Sequence, residues 1–314
     1  MSVRVNVDNF VRAETARMFD GALASTGGVN RWTHNRVPTP LEEQNVIRMN
    51  RDTLYSMAVV DIGSGASLTL PEADGRYMSA MVVNEDHYIN EIFDEPGTYR
   101  LTTDTLDTPF VMIALRTLVD PADASDLATV VDLQDAVVLE ADSARAYAHD
   151  DYDEESRKST FDALIELSRG MPDSLRTFGR RDEVDPVRHL IGTAFGWGGL
   201  PESAAYYVVA ADPQAVGDYT MTLRDVPADA FWSVTIYNRD GFLEPNPYDS
   251  YSLNNLTATP DPDGSYRLHL SPEGDGVSNH LYVMDGWNYA LRLYKPRPSA
   301  LDGTWSPPEP VARD

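Results

Sequence analysis

No cysteine occurs in the 314 residues, which excludes thiol nucleophiles, cysteine-ligated zinc, iron–sulfur centres and disulfides, and leaves stability to packing. Lysine is almost as scarce, at Lys158 and Lys295 only, and 25 basic residues face 50 acidic ones for a formal net charge of -25. A phosphate backbone needs clustered cations, so nucleic acid is disfavoured as a partner, and the same field works against anionic membrane surfaces. No run approaches the ~18 apolar residues of a membrane span. Segment 1–9 lacks the basic start and apolar core of a signal peptide, so a cytoplasmic location is expected. The preference for Asp over Glu and Arg over Lys fits a salt-rich cytoplasm or a high-GC genome; melting curves in low and molar salt separate the two.

What is present is ordinary globular material, 42% hydrophobic and 24% charged, enough for two cores, with one large barrel as the alternative. Helical spacing over 7–23 predicts a leading helix with Asp8 as its cap. Short apolar segments bounded by Gly, Pro and Asp predict strands over 54–62, 67–70, 76–83, 98–102 and 110–118. Helical periodicity then covers 122–135, 153–170 and 185–195, the last with Pro186 in its first turn. Strand patterns resume at 205–209, 219–223, 231–237, 266–270, 280–283 and 289–294, with Asp263-Gly264 as a hairpin turn. The proline-rich tail from Lys295 is expected to lie extended. The expected fold class is therefore mainly β with a helical section (α+β), two β-sandwich or jelly-roll-like domains joined by helices. Its expected divisions are a β-rich domain over 1–140, a helical connector over 141–200 and a jelly-roll-like domain over 201–314.

Three segments are dense in polar and aromatic residues: Asn50-Arg51-Asp52-Thr53-Leu54-Tyr55-Ser56; Phe231-Trp232-Ser233-Val234-Thr235-Ile236-Tyr237-Asn238, with Asn246-Pro247 beyond it; and Leu291-Arg292-Leu293-Tyr294, followed by Leu301-Asp302-Gly303-Thr304-Trp305. With Gly75-Arg76-Tyr77 and Gly196-Trp197-Gly198, and over about residues 8 to 311, the chain resembles the bacterial and archaeal proteins that carry domain of unknown function 1254 followed by domain of unknown function 1214. The resemblance implies two β-rich domains linked by helices, commonly a homo-oligomer, and no agreed reaction. The chain departs from the family where an Asn-Trp-Leu-Pro run is usual and Asn279-His280-Leu281-Tyr282 stands instead.

The same residues suggest chemistry directly. Arg51 offers a planar donor fork, Asp52 a carboxylate, Asn50 an amide and Tyr55 a ring with a hydroxyl, a set suited to a small polar or carboxylated ligand. Asp52 as base and Tyr55 as acid would allow proton transfer. The plainer reading is that Asn50 and Asp52 tie down the turn entering the strand. In 84–91, a continuing strand would put Asn84, Asp86, Tyr88 and Asn90 on one face, with Asn84 and Asp86 as candidate ligand contacts; the bland account is a carboxylate-rich loop on an acidic surface. His87 has no second histidine at a ligand spacing, and none of the six histidines forms a zinc motif. Alternation over 231–238 sends Trp232, Val234, Ile236 and Asn238 one way and Phe231, Ser233, Thr235 and Tyr237 the other, one face being core and Trp232 being either core or a ligand platform. Asn246 and Tyr248 are candidates for lining a cleft. Neither a Gly-x-Ser-x-Gly elbow nor a phosphate loop is present; Gly192 to Gly199 lacks the Gly-Lys-Ser/Thr ending. The sequence thus supports either a ligand-binding protein that transforms a small polar molecule in a cleft between two domains, with no organic cofactor and no metal, or a non-catalytic binding or assembly module.

Overall fold

The protein was described from a computed structural model covering residues 2–44, 47–171, 173–274 and 276–313; Met1, the first residue of the segment read for a leader, lies outside them. Helix α1 (Phe10–Thr26) buries Phe10, Ala13, Ala16, Phe19 and Ala22, a three-and-four-residue spacing. It ends where Gly27 adopts φ 71°, a conformation that favours glycine, and donates its N–H to Leu23. Asp8 is not its cap: Asn9 occupies that position and no side chain caps the helix.

Strands β1 (Thr33–His34), β2 (Thr53–Asp61), β3 (Ala66–Leu70), β4 (Met78–Asn84), β5 (Ile89–Phe93) and β6 (Gly97–Leu101) follow. Then come α2 (Thr103–Leu106), β7 (Phe110–Leu118), α3 (Ala124–Asp135), β8 (Val138–Ala141), α4 (Glu154–Ser168) and α5 (Pro186–Phe195). One sheet has the order β1-β2-β7-β4-β5 and a smaller one β6-β3-β8. Ala58 and Val60 from β2, Leu68 from β3, Val82 from β4 and Ile113 from β7 share one core, so side chains from both sheets meet there. A second cluster joins the helices through Phe10, Leu164 and Ile191. At the start of α5, the Asp185 carboxylate accepts from the N–H groups of Val187 and Arg188, while Pro186 occupies a position that needs no N–H partner.

The remaining elements are β9 (Ala205–Gln214), β10 (Tyr219–Leu223), β11 (Ala228–Tyr237), β12 (Ser252–Asn254), β13 (Tyr266–Ser271), β14 (His280–Tyr282), β15 (Trp287–Pro296), α6 (Pro298–Leu301) and β16 (Val311–Ala312). They form sheets of order β14-β13-β10-β16 and β12-β11-β15-β9, antiparallel except for β13 with β14. Met221, Leu268 and Leu281 from the first and Val234, Trp287 and Leu291 from the second build a common core. The fold is mainly β with helices, an α+β arrangement of largely antiparallel sheets.

Several local expectations are corrected. The strand before Asn84 does not continue: the chain turns through His87, at φ 61°, into β5. Nor is 84–91 a surface loop, because Asn84, Glu85 and His87 are buried. Asp263-Gly264 makes a tight turn closed by Asp261 N–H to Ser265, but the ladder of β13 is with β10 and β14 rather than with a hairpin partner. The tail is partly structured by α6 and β16.

The compact units do not follow chain order. One comprises Met1–Arg36, Tyr55–Leu118 and Ala128–Glu202; the other comprises Val37–Leu54, Val119–Leu127 and Ser203–Asp314. Segment 37–54 therefore folds with strands that lie some two hundred residues later, and this brings the first polar motif to the second and third.

Candidate functional site

Within the second unit, alternation gives the β12-β11-β15-β9 sheet two chemically different faces. Trp232, Val234 and Ile236 on β11 and Leu291 and Leu293 on β15 enter the core. The opposite face carries Ser233, Thr235 and Tyr237 on β11, Asn254 on β12, and Asn288 and Arg292 on β15. It is polar yet buried: Arg292 is 5% exposed and Asn254 1%.

Segment 37–54 is what takes these groups from solvent. The Gln44 amide donates to the Leu243 carbonyl at 2.9 Å and accepts the Leu243 N–H at 2.8 Å. Leu41 packs beside Tyr237 and Tyr251, and the Arg48 N–H reaches the Gly241 carbonyl at 2.7 Å. Glycine is favoured at position 241, since it holds φ 87°, a conformation strained for residues with a side chain. Asn50 then folds its Oδ1 onto the Asp52 N–H at 2.7 Å and donates to the Tyr294 hydroxyl at 2.8 Å. Asn50 thus ties down the turn entering β2, as its plainer reading expected, and also reaches β15 through Tyr294.

Two ends of opposite charge define the network. Arg292 donates to the Thr235 hydroxyl at 2.9 Å, the Tyr237 hydroxyl at 2.7 Å and the Arg48 carbonyl at 2.7 Å. Tyr237 donates its own O–H to the Met49 carbonyl at 2.9 Å. Asp52 Oδ1 accepts from Ser252 Oγ at 2.9 Å and Asn254 Nδ2 at 3.1 Å. Thr235 and Ser252 are 2.9 Å apart. A guanidinium can only donate and an ionised carboxylate can only accept, so the hydroxyls between them must align: Arg292 to Thr235, Thr235 to Ser252, Ser252 to Asp52. Each bond polarises the next. Burial opposes the charge on Arg292, but Tyr237, Tyr294 and Asp52 outweigh it and raise its pKa above the usual arginine value.

The network is incomplete. Asp52 Oδ2, Ser233 Oγ, Asn288 Oδ1 and Arg48 Nε are buried without a hydrogen-bond partner, four of the ten such atoms among the described residues. Leaving a buried polar atom unpaired costs about 1–3 kcal/mol, more for a charged one, so their concentration on one face needs a cause.

The other residues expected to form a site have these places. The Arg51 guanidinium lies 5.0 Å from the centroid of the Tyr251 ring and donates to Thr39. Tyr55 belongs to the first unit, under the Arg116 guanidinium at 5.3 Å. Trp232 packs edge-on against Tyr266 in the core. Asn246 organises its own loop, accepting from the N–H groups of Tyr248 and Ser250 and donating to Ser250. Asn84 does the same for the β4–β5 turn, accepting from Asp86 and Tyr88 and donating to Leu106. Asp86 pairs with Arg12 at 3.0 Å. As site residues, Tyr237, Ser252, Asn254 and Arg292 are missed by sequence reasoning; the alternation over 231–238 is the signal for Tyr237, Arg292 lies in the third of the polar and aromatic segments, and nothing local marks Ser252 or Asn254.

In the first unit His87 is the most enclosed ionisable group. Thr193 donates its O–H to the His189 carbonyl, so the 2.8 Å contact with His87 must be Nδ1–H donating to Thr193. The Gly198 N–H then donates to Nε2 at 2.9 Å. Burial holds His87 well below the usual histidine pKa, as this neutral tautomer requires. Among the described residues no group of three His, Asp or Glu side chains is placed to hold a metal ion, and no helix is long and apolar enough to cross a membrane. An open groove of about 640 Å³ on the second unit is lined by Tyr248, His269, Ser271, Glu273 and Arg313.

Comparison with known proteins yields fold and family without activity. A model described as protein of unknown function (DUF1254) matches residues 29–102, and one described as protein of unknown function (DUF1214) matches 210–298, the expected pairing. The VPA0106 protein from Vibrio parahaemolyticus has a similar structure at 18% identity and a TM-score of 0.77, covering 98% of both chains. An uncharacterized protein from Burkholderia cenocepacia is similar at 14% identity and a TM-score of 0.52, covering 97% of this chain and 86% of its own. No functionally curated protein matches.

Proposed function

We propose, for a chain that pairs domain of unknown function 1254 with domain of unknown function 1214, that the second unit binds a small polar or carboxylated molecule on the buried polar face of its β12-β11-β15-β9 sheet, without an organic cofactor. The observation that carries this reading is Asp52 Oδ2, enclosed and unpartnered on a carboxylate whose other oxygen accepts two hydrogen bonds. Those two bonds fix the carboxylate, and the free oxygen would take an O–H or N–H from a ligand. Asn50, Arg51 and Ser252 are only half-buried and give the site its outer edge.

The reading is of a binding protein; a reaction would need an acid beside Asp52. Both units are read as two-layer β sandwiches, the second jelly-roll-like, because each core draws side chains from two sheets. Self-association is the second part of the proposal, supported by β9, which stands at the edge of its sheet with Val209 45% exposed. Mass measurement in solution tests that part, a monomer contradicting it.

For the site, the experiment is Asp52→Asn assayed by calorimetric titration against the ligand recovered from a small-molecule thermal-shift screen. The substitution keeps Oδ1 with its two donors and replaces only the unpartnered oxygen. Stability should fall by about 1–3 kcal/mol, because the buried Arg292 loses its opposing charge, while the chain stays folded and binding is lost; unchanged binding would remove Asp52 from the site.

A further inference from the structure

In a chain with 50 acidic residues, an arginine facing none of them is informative. Three other arginines that approach the interior meet carboxylates: Arg157 meets Glu14 at 2.5 Å, Arg145 meets Asp61 at 2.6 Å and Arg12 meets Glu85 at 3.0 Å. Arg48 does not. It is half-buried, its Nε is enclosed without a partner, and among the described residues its side chain has no hydrogen bond or ion pair. The charged or polar groups that act on it are Tyr237 and a second cation, Arg292, and burial lowers its pKa first of all. Arg292 in turn bonds two hydroxyls and the Arg48 carbonyl, and meets Asp52 only through Thr235 and Ser252. Arg48 thus has a second guanidinium beside it and no carboxylate, and the one carboxylate acting on Arg292 is held at the far end of a relay. Desolvated cations in this arrangement are stabilised by an anion, and the Nε edge of a guanidinium matches two oxyanion oxygens.

We infer that Arg48, backed by Arg292, is an oxyanion-binding position, and that the molecule taken up on the polar face is a small carboxylate that also carries a hydroxyl or ammonium donor for Asp52 Oδ2. This rests on the binding reading above and names its substrate class. Asp52 selects the donor, Arg48 the charge, and the unpartnered Ser233 hydroxyl lies on the same face to take a further contact. A neutral polyol would satisfy one end only, and a plain carboxylate the other.

Four probes separate these contributions in calorimetric titrations of the full chain: glycerate, propionate, glycerol and inorganic phosphate. Ionic strength must be matched, because a chain of charge -25 responds to any salt. Glycerate should bind at least about tenfold more tightly than propionate or glycerol, each lacking one contact. Arg48→Gln should reduce glycerate to the level of glycerol, Asp52→Asn to the level of propionate, and Arg48→Lys should fall between parent and Arg48→Gln. Phosphate binding as tightly as glycerate, and lost in Arg48→Gln, would keep the oxyanion position and overturn the carboxylate assignment. Glycerol equal to glycerate, with Arg48→Gln indifferent, would overturn the inference and leave the binding reading in place. Saturable binding by none of the four contradicts both. Melting curves of each variant identify any that fails to fold, and Arg48→Lys, which keeps the charge, then carries the test.

Discussion

Two buried polar clusters, one in each unit, differ in a way that separates scaffold from site. Around His87 both ring nitrogens are occupied, by Thr193 and Gly198, and the ring stacks on Trp197 at 5.2 Å and His189 at 5.4 Å; among the described residues there, only Nδ1 of His189 is buried without a partner. The imidazole is neutral, and its turn is held at φ 61°, where a residue other than glycine is strained. Such a cluster uses hydrogen bonds to keep one backbone conformation. Around Asp52 and Arg292 the groups carry charge, and four atoms have no partner. Neutral groups, paired but for one ring nitrogen, mark a structural core; retained charge with four missing partners marks a place where something else is to be bound.

The contrast can be broken most severely at Arg292. Arg292→Met leaves the Thr235 and Tyr237 hydroxyls and the Arg48 carbonyl without their donor and the Asp52 carboxylate without its opposing cation, and should cost about 3–5 kcal/mol in urea unfolding. A loss below about 1 kcal/mol would mean water already solvates this face. His87→Leu is the matching change in the first unit, leaving the Gly198 N–H and one lone pair of Thr193 unpaired, and should cost about 2–4 kcal/mol without altering ligand binding by the second unit.

A pH titration sharpens the comparison further. Burial lowers the pKa of both His87 and His189 in the folded chain. The unfolded imidazoles take up protons near pH 6.5 and the folded ones only at lower pH, so stability is full above about pH 6.5 and falls as pH drops below it. Each imidazole contributes a slope of about 1.4 kcal/mol per pH unit until its folded pKa is reached. His87→Leu should reduce that slope; an unchanged slope would assign the acid sensitivity elsewhere. The smallest effect is expected for Arg239→Gln, which removes an exposed pair with Asp285 and should change stability by less than about 0.5 kcal/mol and binding not at all.

How much of this was legible in the sequence depends on the distance over which the information acts. Strand β7 spans 110–118 as its apolar run implied, and Pro186 opens α5 because a local rule governs each. Strand β8 carried no signal of its own: Val138 and Glu140 are ordinary residues made into a strand by pairing with β3, far back in the chain. The same limit hid most of the site. Alternation over 231–238 predicted two faces, but that the polar one is buried depends on 37–54 lying against it, a contact across two hundred residues. Asn50 and Asp52 stood out because they crowd one motif, whereas Arg292 sits among Leu and Tyr and its importance comes from the Thr235 and Tyr237 hydroxyls and the Arg48 carbonyl that the fold brings to it. Asn84 and Asn246 look like ligand contacts in sequence because the side chains that bind ligands also cap turns.

The central claim is that the polar face of the second unit is completed by a small molecule, and a crystal structure at about 1.2 Å of protein purified without added ligand tests it most directly, since hydrogen-bond partners are then visible. The account predicts density larger than a water against Asp52 Oδ2, extending toward Arg48. Isolated waters pairing Asp52 Oδ2, Ser233 Oγ and Arg48 Nε would contradict it and make the face a hydrated core.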